Sequence, residues 1–206
     1  LDAARETWAS DLAHEFGVDA SKLPEIIPSD QIIGRVTAEA ADLTGLVAGT
    51  PVVSGGGDMP CWLFGAGLTS EGNAVDITGT AADVSVYCRE PVRDARLMNL
   101  HHVIPGWFTF GILDSGGGSL RWFRDALCEP AVARARQLDV SPYEVMAAEA
   151  EATPAGAEGL LFLPYLLGER VLGSPLARGT FFGLTQRHTR AHMVRAIIEG
   201  VSLDLR

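Results

Sequence analysis

Lysine is nearly missing from this 206-residue chain: Lys22 stands alone beside fifteen arginines. Compositional bias of the coding sequence accounts for that more simply than bidentate anion recognition by all fifteen. Basic charge is short as well. Sixteen Lys and Arg face twenty-six Asp and Glu, for a formal charge of -10. That is the wrong sign for a chain that tracks nucleic-acid phosphates or anionic lipid, so neither is expected as a partner, and any phosphate must be held locally. Long apolar runs are also lacking. The longest, residues 160–167, is broken by Pro164 and falls far below the ~20 residues of a membrane helix. Cysteine is sparse: Cys61, Cys88 and Cys128 form no C-x-x-C, which argues against a disulfide framework or a structural zinc site. They are expected as reduced, buried thiols of a cytoplasmic protein. No initiator Met and no secretory signal stand at Leu1. Both ends are expected to be cut from a longer protein, because the final helical pattern runs to Arg206 without a Gly or Pro terminator.

Several familiar sites are absent. No G-x-x-x-x-G-K exists, since the single lysine follows Ser21, so a P-loop is excluded. Gly55-x-Gly57 is followed by Pro60, and Gly65-x-Gly67 by Ser70, where a dinucleotide fingerprint needs its third glycine. There is no G-x-S-x-G nucleophile elbow. His188 and His192 have the i, i+4 spacing of helical metal ligands, but no Glu follows His188. They are expected as solvated residues of a helix start, and His101 and His102 as strand residues.

What is present is a composition 47% hydrophobic and 20% charged, that of a globular chain of one or two domains. Helical patterns over residues 4–16, 37–43, 119–128 and 141–150 interleave with β-type runs at 51–54, 74–78, 84–88 and 107–112, which predicts an α/β fold. Ser141-Pro142-Tyr143-Glu144 reads as a capping box. Thr189 is placed to cap a last helix carrying Met193, Val194, Ile197, Ile198, Val201 and Leu205. A Gly-rich turn at residues 69–73 marks a domain boundary.

Twenty-three glycines are about 11% of the chain against a usual ~7%, and they cluster where strand-like runs end. The clusters are Gly55-Gly56-Gly57-Asp58, Gly79-Thr80-Ala81-Ala82 and Asp114-Ser115-Gly116-Gly117-Gly118-Ser119. Glycine lets backbone amides converge on an anion, and a following helix N-terminus adds partial positive charge, so these turns are candidate phosphate cradles as well as ordinary tight turns. Asp58 stands out because it follows three glycines at the end of an apolar strand, with no Arg or Lys beside it in sequence. An N-cap for a helix over residues 59–68 and a catalytic carboxylate are both compatible with that place.

Six blocks in order are similar to the FGGY carbohydrate kinases, within that family most like the xylulokinases. They are Leu23-Pro24-Glu25-Ile26-Ile27-Pro28-Ser29 through Gly34-x-Val36-Thr37, Thr44-Gly45-Leu46 through Gly49-Thr50-Pro51-Val52, the G-G-G-D turn, residues 162–170, Ala177-Arg178-Gly179-x-Phe181-x-Gly183-Leu184, and Arg195-Ala196-x-x-Glu199-Gly200. The resemblance implies a two-domain, actin-like and hexokinase-like fold, both domains incomplete here: residues 1–72 would end the N-terminal, sugar-binding domain and residues 73–206 begin the C-terminal, nucleotide-binding one. It implies ATP-dependent phosphorylation of a sugar hydroxyl, a pentulose such as xylulose or a related ketose or polyol. By the same resemblance Asp58 is the general base and also touches the sugar with Met59, Gly79 and Thr80 form a phosphate loop, and Gly117 lies close to the nucleotide. Mg2+ would arrive on the phosphates, held largely by water and ATP oxygens rather than by protein ligands. A homodimer is compatible with it.

Three departures bear on that reading. Gly79-Thr80 is followed by Ala81 where the family has Ser or Gly, Asp58 by Met59 where it has Asn or Gln, and Gly168-Glu169-Arg170 by Val171-Leu172 where it has Thr-Pro. The family's opening D-x-G-T loop and its C-terminal G-G-G-A loop are not found in the chain. The isolated 206 residues are therefore expected to be inactive. Ala81 and Met59 also fit a catalytically impaired relative that senses sugar or nucleotide, although a pure binder has no need of a base at Asp58.

Overall fold

Contacts within the chain divide it into two units. One comprises the residues up to Gly65 together with His102–Pro105, the other Ala66–His101 and Gly106–Arg206. The computed structural model describes residues 2 and 5–206. The helix expected from residue 4 begins on Ala4, which lies outside the described residues. What forms is shorter, α1 at Ser10–Glu15.

The first unit continues with β1 (Ile32–Arg35), α2 (Ala38–Thr44), β2 (Pro51–Val53) and α3 (Asp58–Gly65). Thr37 starts α2 by accepting the Ala40 N–H on its hydroxyl at 3.1 Å, and Gly45, at φ +76, ends it in the left-handed conformation. Strands β1 and β2 run antiparallel, Ile32 opposite Val53 and Arg35 opposite Pro51, with a register shift between Ile32 and Gly34. Trp8 Nε1 donates to the Pro24 carbonyl at 2.6 Å. Among the described residues of this unit only Leu63 and His102 are buried, and both faces of the β1–β2 pair are exposed. The helix anticipated over residues 59–68 is α3, which stops at Gly65.

The second unit opens on four strands, β3 (Ala74–Thr78), β4 (Ala82–Cys88), β5 (Met98–His101) and β6 (Trp107–Leu113), in the spatial order β3-β4-β6-β5 and antiparallel throughout. Then follow α4 (Gly116–Leu127), α5 (Glu129–Leu138), α6 (Pro142–Glu151), the short pair β7 (Leu161–Leu163) and β8 (Thr180–Phe182), and α7 (Arg190–Asp204). The capping box forms as read: Ser141 N–H donates to Glu144 Oε1 at 3.0 Å, and the Ser141 side chain accepts the Tyr143 N–H at 3.3 Å. A core of Phe123, Met146, Leu160, Phe162, Val194 and Ile197 joins α4, α6, β7 and α7.

Helix α5 is absent from the expected elements. Its buried face is Ala131 and Ala135, residues small enough to let helices approach but too weakly apolar to stand out in a sequence whose surface is arginine-rich. The cysteines also correct an expectation. All three are free, but only Cys128 is buried, while Cys61 is exposed.

Candidate active site

Asp58 is the first residue of α3, and its carboxylate accepts the N–H of Met59 at 2.7 Å. The carboxylate is exposed and forms no ion pair among the described residues; Met59 is half-buried. The chain reaches this point through a turn fixed by backbone bonds: Ser54 N–H donates to the Gln31 carbonyl and Gly55 N–H to the Ser29 carbonyl, each at 2.9 Å. Gly55 turns the chain at φ +75, a conformation that costs other residues strain. Cys61 N–H then donates to the Gly57 carbonyl at 3.2 Å and closes the first turn of the helix. Apolar β2 thus delivers a carboxylate to a helix start.

Gly79, Thr80 and Gly117 meet in the second unit. Gly79, Thr80 and Ala81 form the three-residue loop between β3 and β4, with Gly79 N–H donating to the Ala81 carbonyl at 2.8 Å. Gly116, Gly117 and Gly118, expected in a turn ahead of a helix, are instead the first residues of α4. The N–H of Gly117 donates to the Gly79 carbonyl at 2.9 Å, and that of Gly118 to the Thr80 carbonyl at 3.0 Å. A methyl group on Gly116 would lie 2.5 Å from Ala82 Cβ, one on Gly118 2.9 Å from the Thr80 oxygen, and one on Gly117 would overlap the Gly79 oxygen. These three glycines let a helix N-terminus rest on a hairpin loop, and two of its orphan amides are consumed in doing so. No hydrogen bond among the described residues engages the amides of Thr80 and Ala81, both exposed at the tip of the loop.

Arg121 joins this loop although no sequence motif marks it. Its guanidinium donates to Thr80 Oγ1 at 3.0 Å. The available signal was spacing: Arg121 lies four residues beyond Gly117, on the same helical face. A groove of about 490 Å3 runs from Gly116 and Gly117 past Leu120 to Ile197, Ile198 and Val201 of α7, with Asp76 and Thr78 of β3 on its other side. On the neighbouring strand β4, burial pushes the Asp83 carboxyl up, opposed by the hydrogen bond from Ser85 and reinforced by the charge of Asp76.

The histidine pair differs from its expected solvated state. His188 and His192 are half-buried with ring centroids 5.5 Å apart, and each accepts a backbone N–H on Nδ1: His188 from Thr185 at 2.9 Å, His192 from Thr189 at 3.1 Å. They organise the entry to α7. His101 ends β5 as expected, whereas His102 lies beyond the strand. The Arg195…Glu199-Gly200 block is structural too. Glu199 accepts the Gly156 N–H on both carboxylate oxygens, at 2.9 and 3.1 Å, and the Arg195 Nε–H at 2.6 Å. It thereby holds a turn, residues 156–159, in which all four φ values are positive.

Residues 1–65 match the model of the FGGY family of carbohydrate kinases, N-terminal domain, and residues 75–206 that of the C-terminal domain. The chain is 31% identical over 210 residues to a xylulose kinase of Bacillus subtilis, covering 100% of this chain and 40% of that protein. It is also 31% identical over 201 residues to a gluconokinase of the same organism, covering 96% of this chain and 39% of the other. The crystal structure of xylulose kinase from Rhodospirillum rubrum superposes with a TM-score of 0.85 at 36% identity, over 99% of this chain and 40% of that one. The chain therefore spans about two fifths of the length of the curated relatives it matches. It belongs to the FGGY family of carbohydrate kinases and carries part of their actin-like ATPase fold.

Proposed function

We propose that this chain is the central part of a kinase that transfers the γ-phosphoryl group of ATP to a sugar hydroxyl, with Asp58 as general base. The observation that carries this reading is the β3–β4 loop. Among the described residues nothing engages the amides of Thr80 and Ala81, which stand beside the Arg121 guanidinium on a backbone packing that glycines alone permit. Two N–H groups, a hydroxyl and a cation are the donor set that a polyphosphate needs. The loss of a hydroxyl at Ala81 leaves that set intact, since the backbone amide stays in place.

In the other unit, an exposed carboxylate with no ionic partner among the described residues would accept the proton of a sugar hydroxyl and aim the oxygen at phosphorus. Phosphoryl transfer demands positioning and charge compensation more than covalent help, which suits so sparse a set of groups. ATP supplies the transferred phosphoryl group, and Mg2+ would enter on its oxygens. Xylulose kinases and gluconokinases among the similar proteins support a five- or six-carbon sugar or sugar acid as the acceptor, with a pentulose such as xylulose favoured.

The test is Asp58→Asn in the full-length kinase. The amide keeps the shape and loses the basicity, so kcat should fall by ~10² or more with the Kd for ATP within a few-fold. Activity within tenfold of the parent would hand the role to another carboxylate.

A further inference from the structure

We propose that Val103 is a positioning residue for Asp58, a role that rests on the reading of Asp58 as the general base. Gly56 has an ordinary φ and lies two residues before Asp58, so its backbone does not call for glycine. What excludes a side chain there is Val103, from a stretch 47 positions further along the chain. A methyl group on Gly56 would overlap Val103 Cγ1, and it would lie 3.2 Å from Cys61 Sγ and 3.6 Å from Ser29 Oγ. Ser29 anchors the turn before the carboxylate through its carbonyl, and Cys61 closes the helical turn after it. Val103 therefore fills the space between the approach to Asp58 and the first turn of α3. Its branched Cβ leaves it few rotamers, and it acts as a rigid stop.

The next residue back holds the other end of the helix. His102 is buried, and its ring meets Phe64, the penultimate residue of α3, edge to face with centroids 6.3 Å apart. His102 and Val103 together bracket an eight-residue helix whose first residue is Asp58. Among the described residues the carboxylate itself is bonded only to the adjacent Met59 N–H. Its direction thus follows the placement of α3 and of the turn before it. A general base has to stand within hydrogen-bond reach of its proton, and an error of ~1 Å costs on the order of 10²-fold in rate.

The experiment is a set of variants in the full-length kinase, assayed for kcat, KM for sugar and KM for ATP, with thermal melts on each. Val103→Ala should lower kcat about tenfold or more and leave KM for ATP within about twofold, while Val103→Thr, which keeps the branched shape, should stay within about threefold of the parent. Gly56→Ala should lower kcat by ~10², and Gly56→Ala with Val103→Ala should recover at least about tenfold over Gly56→Ala alone, because the two changes relieve one overlap. Losses that simply multiply, or a Val103→Ala kcat within about twofold of the parent, would overturn the proposal. If Gly56→Ala fails to fold, the contrast between Val103→Ala and Val103→Thr decides it. Asp58→Asn run beside them separates the two ideas. Full activity in that variant ends the base reading, whereas its inactivation together with an unaffected Val103→Ala overturns only the role of Val103.

Discussion

Met59 follows the proposed base, half-buried, its own N–H spent on the Asp58 carboxylate. A thioether accepts a hydrogen bond weakly and donates none, so a sugar hydroxyl facing it would forgo roughly 0.5 to 1.5 kcal/mol. Met59→Asn in the full-length kinase should therefore raise kcat/KM for D-xylulose several-fold. A panel of pentuloses, hexuloses and polyols checks this, and a lowered value would show that Met59 is packing. Tyr165 carries a second prediction. Its hydroxyl donates to Asp204 Oδ1 at 2.7 Å, and that bond, with burial and the nearby charge of Asp204 adding, pushes the phenol up to about 12 from an ordinary value of 10.0. The folded-state value lies above the unfolded one, so this bond stabilises fully below pH 10.0 and is lost as pH rises towards about 12. Denaturant midpoints of the parent should fall across that window more steeply than those of Tyr165→Phe. Parallel curves would remove Tyr165 from the account.

At the scale of elements, close approach explains a glycine inside a helix. Gly200 sits in α7 where a methyl group would overlap the Phe162 carbonyl of β7. Gly200→Ala should cost about 1 to 3 kcal/mol through overpacking, seen as a fall of several degrees in Tm. An unchanged melt would mean that α7 can move off β7 freely. The six sequence blocks divide along the same line. Thr37 and Gly45 cap a helix, Glu199 braces a left-handed turn, and Glu169 folds its own loop by accepting the N–H groups of Val171 and Leu172 at 2.6 and 2.7 Å. Arg170 pairs with Asp114 at 2.8 Å. Much of what resembles the family in sequence is therefore scaffold.

For the whole molecule, the decisive quantity is how little the first unit buries. Ile32, Ile33, Val52 and Val53 are 40–56% exposed, and Leu63 is the only buried aliphatic side chain among the described residues of that unit. So small a core cannot offset the entropy of ordering the unit. The second unit has the Phe123–Ile197 core and does not share this weakness. The 206-residue chain on its own should accordingly bind a hydrophobic dye at 25 °C, lose protection from proteolysis first at residues before Gly65, and show no ATP-dependent phosphorylation of a pentulose. A single sharp melt with no dye binding, or measurable phosphorylation, would show that these residues suffice.

Local signals settled the capping box at Ser141 and strand β3 to the residue, because each depends on neighbours a few positions away. Tertiary structure decided the rest. The alanine-faced α5 is visible only once α6 packs on it, and β1, β5, β7 and β8 are strands only through their pairing partners. Arg121 reaches Thr80 across 41 positions, and Val103 reaches Gly56 across 47. A sequence declares which groups are available. Which of them stand within 3 Å of one another is set by long-range packing, and that is where the candidate site was made.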